Sequence, residues 1–450
     1  MKFHIQSFGC QMNVYDAGSL CGLLNAAGHE FTPNLEEAEL ILLNTCAIRE
    51  GAEQRVRGRI GQLKKYKDQG TLRYLGVCGC MGQKEGERLT DSISFLDLVM
   101  GPGAIGSIAR LVEALERGER PVIDLTGLDE DFDEFHPPAD EAIHYPRFVS
   151  IMKGCDKKCS FCIVPYTRGG ECSRAPHIIL QEIETLAQRG YREITLIGQT
   201  VNSYRYGEVD FAALLAMVNH MPGIERIRFS TSHPNAATPD MLRAAAELDK
   251  VCEQLHLPVQ SGSNRILERM ERDYRREEYL ERIAYYRRFF ENSIIPPAVT
   301  TDVIVGFPGE TEEDFLQTME LLKTVRCDAA FMFKYSPRRG TPAAEMKDQV
   351  SEDVKAERLE RLIKLQHEIS HQLNNAFIGK QVEVMVERIG ADSQGAAVYE
   401  ARLRTGRTLK LGESEEAYRI GDLIKVNVTD SSSYTLYGIP CERKAKSIVA

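Results

Sequence analysis

Three cysteines within one short segment place the tightest constraint on this chain. Lys153-Gly154-Cys155-Asp156-Lys157-Lys158-Cys159-Ser160-Phe161-Cys162 carries them as C-x3-C-x2-C. Thiolates so close together can grip one face of a metal centre. A closed zinc site needs four protein ligands, and no His follows at zinc-finger spacing. A [4Fe–4S] cluster takes thiolates and, held by only three, keeps one iron open. The segment follows an apolar run, Phe148–Met152. It therefore reads as a loop at the carboxyl end of a strand, where (βα) barrels place their chemistry.

The region around it repeats strand then helix. Strands are expected at Phe148–Met152, Ile194–Gly198, Ile227–Ser230, Gln254–Val259, Thr300–Gly306 and Ala329–Lys334. Helices are expected near Leu180, Leu214, Leu242, Ile283 and Phe315, with a last one over Glu352–Gln372. Six units over residues 141–372 fall short of an eight-fold barrel, which needs about 250 residues. An open, partial (βα)6 barrel fits better.

Residues 1–120 alternate in the same way: Phe3–Phe8, Leu40–Leu43 and Leu72–Val77 are each followed by a helical stretch, which predicts an open parallel α/β sheet. Cys10, Cys46 and Cys80 each follow one of these strands. Carboxyl ends of parallel strands share one edge, so these cysteines should converge there. This would be a second three-thiolate set and a second cluster with an open iron. Cys78 lies two residues from Cys80 and competes for the role. Residues 121–140 contain an acidic stretch, Asp129 to Asp140, with Pro137-Pro138 and no Lys or Arg among them, and read as a linker. In residues 373–442 the period changes. Val382, Val384 and Val386, then Ile424, Val426 and Val428, alternate with polar residues and predict a small five-stranded β-barrel. The fold class is α/β.

The formal net charge is −10, from 56 Lys+Arg against 66 Asp+Glu, so a nucleic-acid partner needs a local basic surface. Arg55, Arg57, Arg59, Lys64, Lys65 and Lys67 on one helix, and Arg402, Arg404, Arg407 and Lys410 in the barrel, are candidates. The arginines of Asn264–Phe290 have acids interleaved and read as i,i+4 pairs on an exposed helix. His233 and His256 sit at strand ends, where structural roles are the commoner outcome. No apolar run approaches the roughly 18 residues of a membrane helix. The chain is expected to be cytoplasmic.

Several segments resemble the radical S-adenosylmethionine (SAM) methylthiotransferase family. Phe8-Gly9-Cys10-Gln11-Met12-Asn13, Asn44-Thr45-Cys46-Ala47-Ile48-Arg49-Glu50 and Gly79-Cys80-Met81 are similar to its N-terminal domain. Cys155, Cys159 and Cys162 match its radical-SAM triad, and the barrel looks like its RNA-binding TRAM domain. Cys159–Gly169, His256–Ser263, Thr301–Glu310 and Tyr335–Arg338 resemble the tRNA-modifying member that acts on isopentenylated adenosine. Members acting on threonylcarbamoyl-adenosine tRNA or on a ribosomal protein are the alternatives. A non-enzymatic iron–sulfur or zinc RNA-binding protein is a third.

The resemblance implies a methylthio group placed on the adenine 2-carbon of N6-isopentenyladenosine beside the anticodon. It implies two [4Fe–4S] clusters, one at Cys155, Cys159 and Cys162, and an auxiliary one at Cys10, Cys46 and Cys80 that carries the sulfur. SAM would serve as methyl donor and radical source. The anticodon stem-loop of tRNA and an electron donor such as flavodoxin or ferredoxin would be partners. SAM-pocket residues are expected at Gly198, Gln199, Gln260, Ser261, Gly306 and Glu310. Gly169-Gly170-Glu171 spells the superfamily's SAM string in the wrong place and reads as coincidence.

Overall fold

The structure is a computed structural model that describes residues 1–46, 50–128, 147–391, 397–412 and 417–441. The chain divides into two compact units. The first comprises Met1–Thr185, Thr195–Asp210 and Ser336–Glu345. The second comprises Leu186–Ile194, Phe211–Tyr335 and Met346–Ala450.

The first unit opens with strands β1 (Lys2–Phe8), β2 (Glu30–Phe31), β3 (Leu40–Thr45), β4 (Tyr74–Gly79), β5 (Leu98–Met100) and β6 (Val122–Asp124). They form one sheet in the order β2-β1-β3-β4-β5-β6, parallel throughout. The helices are α1 (Gln11–Ala26), α2 (Glu50–Asp68), α3 (Cys80–Glu85), α4 (Glu87–Ser92) and α5 (Ile108–Glu116). Strand alternation sorts the core into two faces. Phe3, Leu40, Leu42, Tyr74, Cys78, Leu98 and Met100 pack with α1 and α5. Ile41, Leu43, Leu75, Val77 and Val99 pack with α2 through Val56, Ile60 and Leu63.

Strands β5 and β6 were not foreseen, because each is only three residues long. Strand β6 falls within the segment expected to be a linker. The acidic residues Asp129 to Asp140 lie outside the described residues. Helix α3 begins at Cys80 itself rather than after Gln83.

All six strands expected in the central region are present, at Arg147–Ser150, Glu193–Ile197, Arg226–Phe229, Gln254–His256, Ala298–Val305 and Ala329–Lys334. In the first unit the Ile151 amide donates to the Ile197 carbonyl at 3.0 Å, joining the first two. In the second unit the last three form a parallel sheet in chain order. The expected helices also form, including a long one over Glu352–Asn375.

The arginine-rich stretch Asn264–Phe290 differs from its expectation. It holds two helices, Asn264–Arg269 and Arg276–Arg288, whose arginines reach other elements. Arg269 pairs with Asp348 at 2.7 Å and Arg287 donates to the Val325 carbonyl at 2.7 Å. Buried Tyr279, Ile283 and Tyr286 make the second helix half-core rather than a free surface helix.

The second unit ends in a closed five-stranded barrel of Gln381–Ala391, Ala397–Leu403, Thr408–Leu411, Thr435–Pro440 and Leu423–Ser431, in that order around the wall. Val382, Val384, Val386, Ile424, Val426 and Val428 fill its interior, as their alternation predicts. Among the described residues no helix is long and apolar enough to cross a membrane.

Candidate metal centres and the family of the chain

Strands β1, β3 and β4 are adjacent, and Phe8, Thr45 and Gly79 stand level across them. Cys10, Cys46 and Cys80 follow at that level, so the sheet brings the three cysteines to one edge. Cys10 caps α1, with its thiol donating to Asn13 Oδ1 at 3.3 Å. Asn13 Nδ2 donates to Asn44 Oδ1 at 3.1 Å and to the Thr45 carbonyl at 3.0 Å. Asn44 Nδ2 returns a bond to the Asn13 carbonyl at 2.7 Å. Both asparagines are buried. Asn13 and Asn44 are therefore supports of the edge that sequence reasoning quoted in its motifs and gave no role.

Two glycines make the approach possible. A Cβ at Gly9 would lie 2.7 Å from the Cys46 Cβ. Gly79 has φ +86°, and a Cβ there would stand 2.6 Å from both Asn44 Oδ1 and the Thr45 carbonyl. The hydrogen bond with Cys46 lowers the Cys10 thiol to about 6, with burial opposing and the Arg168 charge assisting.

Cys78 points the other way. It lies in the core face with Phe3, Leu24 and Met100, and burial pushes its thiol up. Cys80 opens α3 and accepts a hydrogen bond from Arg168 Nε at 3.2 Å. Arg168 ends a short helix, α6 (Val164–Arg168), that starts just after Cys162. Its Nη2 donates to Asp16 Oδ2 of α1 at 2.7 Å. No spacing rule links residues 88 apart, so the Arg168–Cys80 contact was invisible in the sequence.

The second set sits in the same unit. The Cys155 amide donates to the Gly169 carbonyl at 3.1 Å, and the Cys162 amide to the Cys159 carbonyl at 3.0 Å. Cys155 Sγ lies 3.5 Å from Thr200 Oγ1. Burial raises the Cys155 thiol. Gly169 and Gly170 back this loop, and the Glu171 amide donates to Asp156 Oδ1 at 2.9 Å. Gly198 packs against Met152. The neighbouring Gln199 has a buried Oε1 with no hydrogen-bond partner.

Among the described residues no three His, Cys, Asp or Glu side chains converge tightly enough to hold a single metal ion. Three thiolates without a fourth protein ligand are the donor chemistry of an iron–sulfur cluster with an open iron rather than of a closed zinc site.

The other expected SAM residues lie in the second unit. Gln260 holds a left-handed backbone at φ +68°, with its amide on the Asp302 carbonyl at 2.8 Å. The Ser261 hydroxyl accepts the Ser263 amide at 3.2 Å. Gly306 lies against the Lys355 stem. Glu310 Oε2 accepts from the Gly306 amide at 2.6 Å and from Arg358 at 2.9 Å. Burial raises the Glu310 carboxyl to about 7. Ser261 and Glu310 thus spend polar atoms on bracing their own turns. Thr231, at φ +58° between the buried and unpartnered hydroxyls of Ser230 and Ser232, is a strained position that sequence reasoning passed over. His233 accepts the Asn235 amide at 3.2 Å, and His256 lies 2.9 Å from Thr300 Oγ1.

The barrel arginines require a correction. Arg402 pairs with Glu387 at 2.7 Å, and Arg404 with Glu253 at 2.8 Å. Arg407 pairs with Asp328 and donates to Asn374 at 3.1 Å. All three are internal clamps of the second unit rather than free phosphate contacts. Lys410 is exposed and stands opposite Tyr437. On α2, Lys67 is held by Asp97 and Arg59 by Gln6, while Arg55, Arg57, Lys64 and Lys65 are exposed.

Comparison with known proteins fits this architecture. Residues 149–322 match the Radical SAM superfamily, and residues 2–101 match Uncharacterized protein family UPF0004. A tRNA-2-methylthio-N(6)-dimethylallyladenosine synthase from Thermoanaerobacter sp. (strain X514) is 45% identical over 97% of this chain and 92% of that protein. The chain belongs to this synthase family. A relative of the same name from Symbiobacterium thermophilum is 43% identical over 97% of this chain and 94% of its own length. One from Sulfurihydrogenibium sp. (strain YO3AOP1) is 41% identical over 97% and 99%. Among solved structures, the radical SAM methyltransferase TsrM from Kitasatospora setae matches with a TM-score of 0.56 at 13% identity, over 76% of this chain and 77% of that one. At that identity the likeness speaks for the fold alone. The family is a radical SAM family, so a [4Fe–4S] cluster and SAM belong to its chemistry.

Proposed function

We propose that this chain is a tRNA methylthiotransferase that converts N6-isopentenyladenosine beside the anticodon into 2-methylthio-N6-dimethylallyladenosine. The observation that carries the reading is relatedness to synthases of that product along 97% of the chain. The two three-cysteine sets within one compact unit support it, because the reaction needs a radical source and a sulfur carrier.

Cys155, Cys159 and Cys162 would hold the radical-SAM cluster, and Cys10, Cys46 and Cys80 the auxiliary one. When bound, the clusters and SAM supply the electron, the methyl group and the sulfur. The protein's own work is placement. Asn13 and Asn44 lock the strand ends that carry the first set. Gln199, whose carbonyl lacks a donor, and Gly198 are assigned to SAM. The adenine must leave its stack to be reached, at a cost of a few kcal/mol that is smallest for a loop base. The barrel acts as an RNA-binding TRAM domain, with Lys410 and Tyr437 on its outer wall as contacts. A flavodoxin or ferredoxin supplies electrons, and the enzyme works in the cytoplasm, where tRNA is found.

The test is nucleoside analysis of tRNA from a deletion strain complemented with the wild type or with the Cys155/Cys159/Cys162→Ala variant. The deletion strain should accumulate N6-isopentenyladenosine, and only the wild type should restore the methylthio product. Restoration of a threonylcarbamoyl product instead would move the substrate assignment. Restoration by the triple variant would overturn the radical mechanism.

A further inference from the structure

We infer that Arg168 is a positioning residue for the first cysteine set, donating to the Cys80 sulfur and thereby setting the reduction potential of the cluster held there. The inference rests on the reading of Cys10, Cys46 and Cys80 as cluster ligands. Arg168 is 5% exposed and is held from two sides. Its Nε points at Cys80 Sγ, 3.2 Å away, and its Nη2 at Asp16, 2.7 Å away. Asp16 is itself 5% exposed and sits on the helix that Cys10 caps. The planar guanidinium fork makes both bonds in fixed directions, which an ammonium cannot reproduce.

A strut between α1 and α6 would need only the Asp16 bond. The second N–H is spent on sulfur, and Ile163 packs against the same cysteine. Hydrogen bonds to cluster sulfurs are among the levers that set iron–sulfur potentials. A donor and a positive charge at a thiolate stabilise the added electron, so the contact raises the potential. The donor stands on the segment that carries the radical-SAM cysteines. That segment therefore tunes the other set.

The test uses the full chain with Cys155, Cys159 and Cys162 changed to Ala, reconstituted anaerobically, so that only the first set can hold iron. Arg168→Lys and Arg168→Gln are added, and the potential is read by electron paramagnetic resonance during a redox titration. The expected result is a more negative potential in both variants at unchanged iron and sulfide per chain. An unchanged potential in an iron-loaded variant would overturn the inference and leave Arg168 a strut. Loss of iron from both variants would also overturn it, by making Arg168 a requirement of assembly. A parent that binds no iron would sink the ligand reading itself, and the inference with it.

Discussion

Asn13 and Asn44 bond each other across the carboxyl ends of β1 and β3, side chain to side chain at 3.1 Å and side chain to carbonyl at 2.7 Å. Each sits three or two residues from a cysteine of the first set. Asn44→Ala leaves one N–H of buried Asn13 Nδ2 unpaired, while its bond to the Thr45 carbonyl remains, and that costs about 1–3 kcal/mol. With the radical-SAM cysteines replaced by Ala, iron content should fall below the roughly four atoms of one cluster. Iron and sulfide assays check it; full loading in Asn44→Ala would remove the asparagine pair from the site.

Cys78 and Cys80 are separated by one residue and by opposite surroundings. Cys80→Ala should abolish iron binding by the first set and methylthiolation with it. Cys78→Ala should keep both and lower stability by about 1 kcal/mol through lost packing. Thermal unfolding and iron counts on the two variants decide between them, and the reverse pattern would exchange their roles.

Glu310 carries a pH signature. Its carboxyl is raised from 4.5 to about 7 by burial, with the Gly306 amide and Arg358 opposing. Between those values the folded chain holds a proton that the unfolded chain has released. That contribution is full below about 4.5 and is lost as pH rises through about 7, with a slope of at most about −1.4 kcal/mol per pH unit. Urea unfolding of the wild type and Glu310→Gln from pH 5 to 7.5 should show a steeper fall of stability with pH in the wild type, the difference being the Glu310 share. Parallel curves would place the proton elsewhere.

Lys410 and Arg404 should separate binding from folding. Lys410→Ala is expected to weaken tRNA binding and reduce the salt-dependence slope by about 0.7–0.9, the share of one phosphate. Arg404→Ala should leave the slope unchanged and destabilise the second unit, because its guanidinium clamps Glu253 and the Val251 carbonyl. Binding isotherms at several salt concentrations, paired with melting curves, measure both. A slope change in Arg404→Ala would return that residue to the RNA.

The strand–helix alternation, the C-x3-C-x2-C loop and the alternating valines of the barrel were readable because they are local. Period and spacing are properties of neighbouring residues, and they place Cys10, Cys46 and Cys80 at strand ends without any knowledge of packing. The three-residue strands β5 and β6 carry too little pattern to read. The Gly79-Cys80-Met81 resemblance already favours Cys80 over Cys78; what only the tertiary structure supplies is that Cys78 lies in the core with Phe3 and Met100, because that face of β4 meets α1. Arg404 and Arg407 look free in the sequence because their partners Glu253 and Asp328 are more than 75 residues away. Arg168 is the same case. A buried charge is defined by its partners, and only the folded chain brought Asp16 and Cys80 to it.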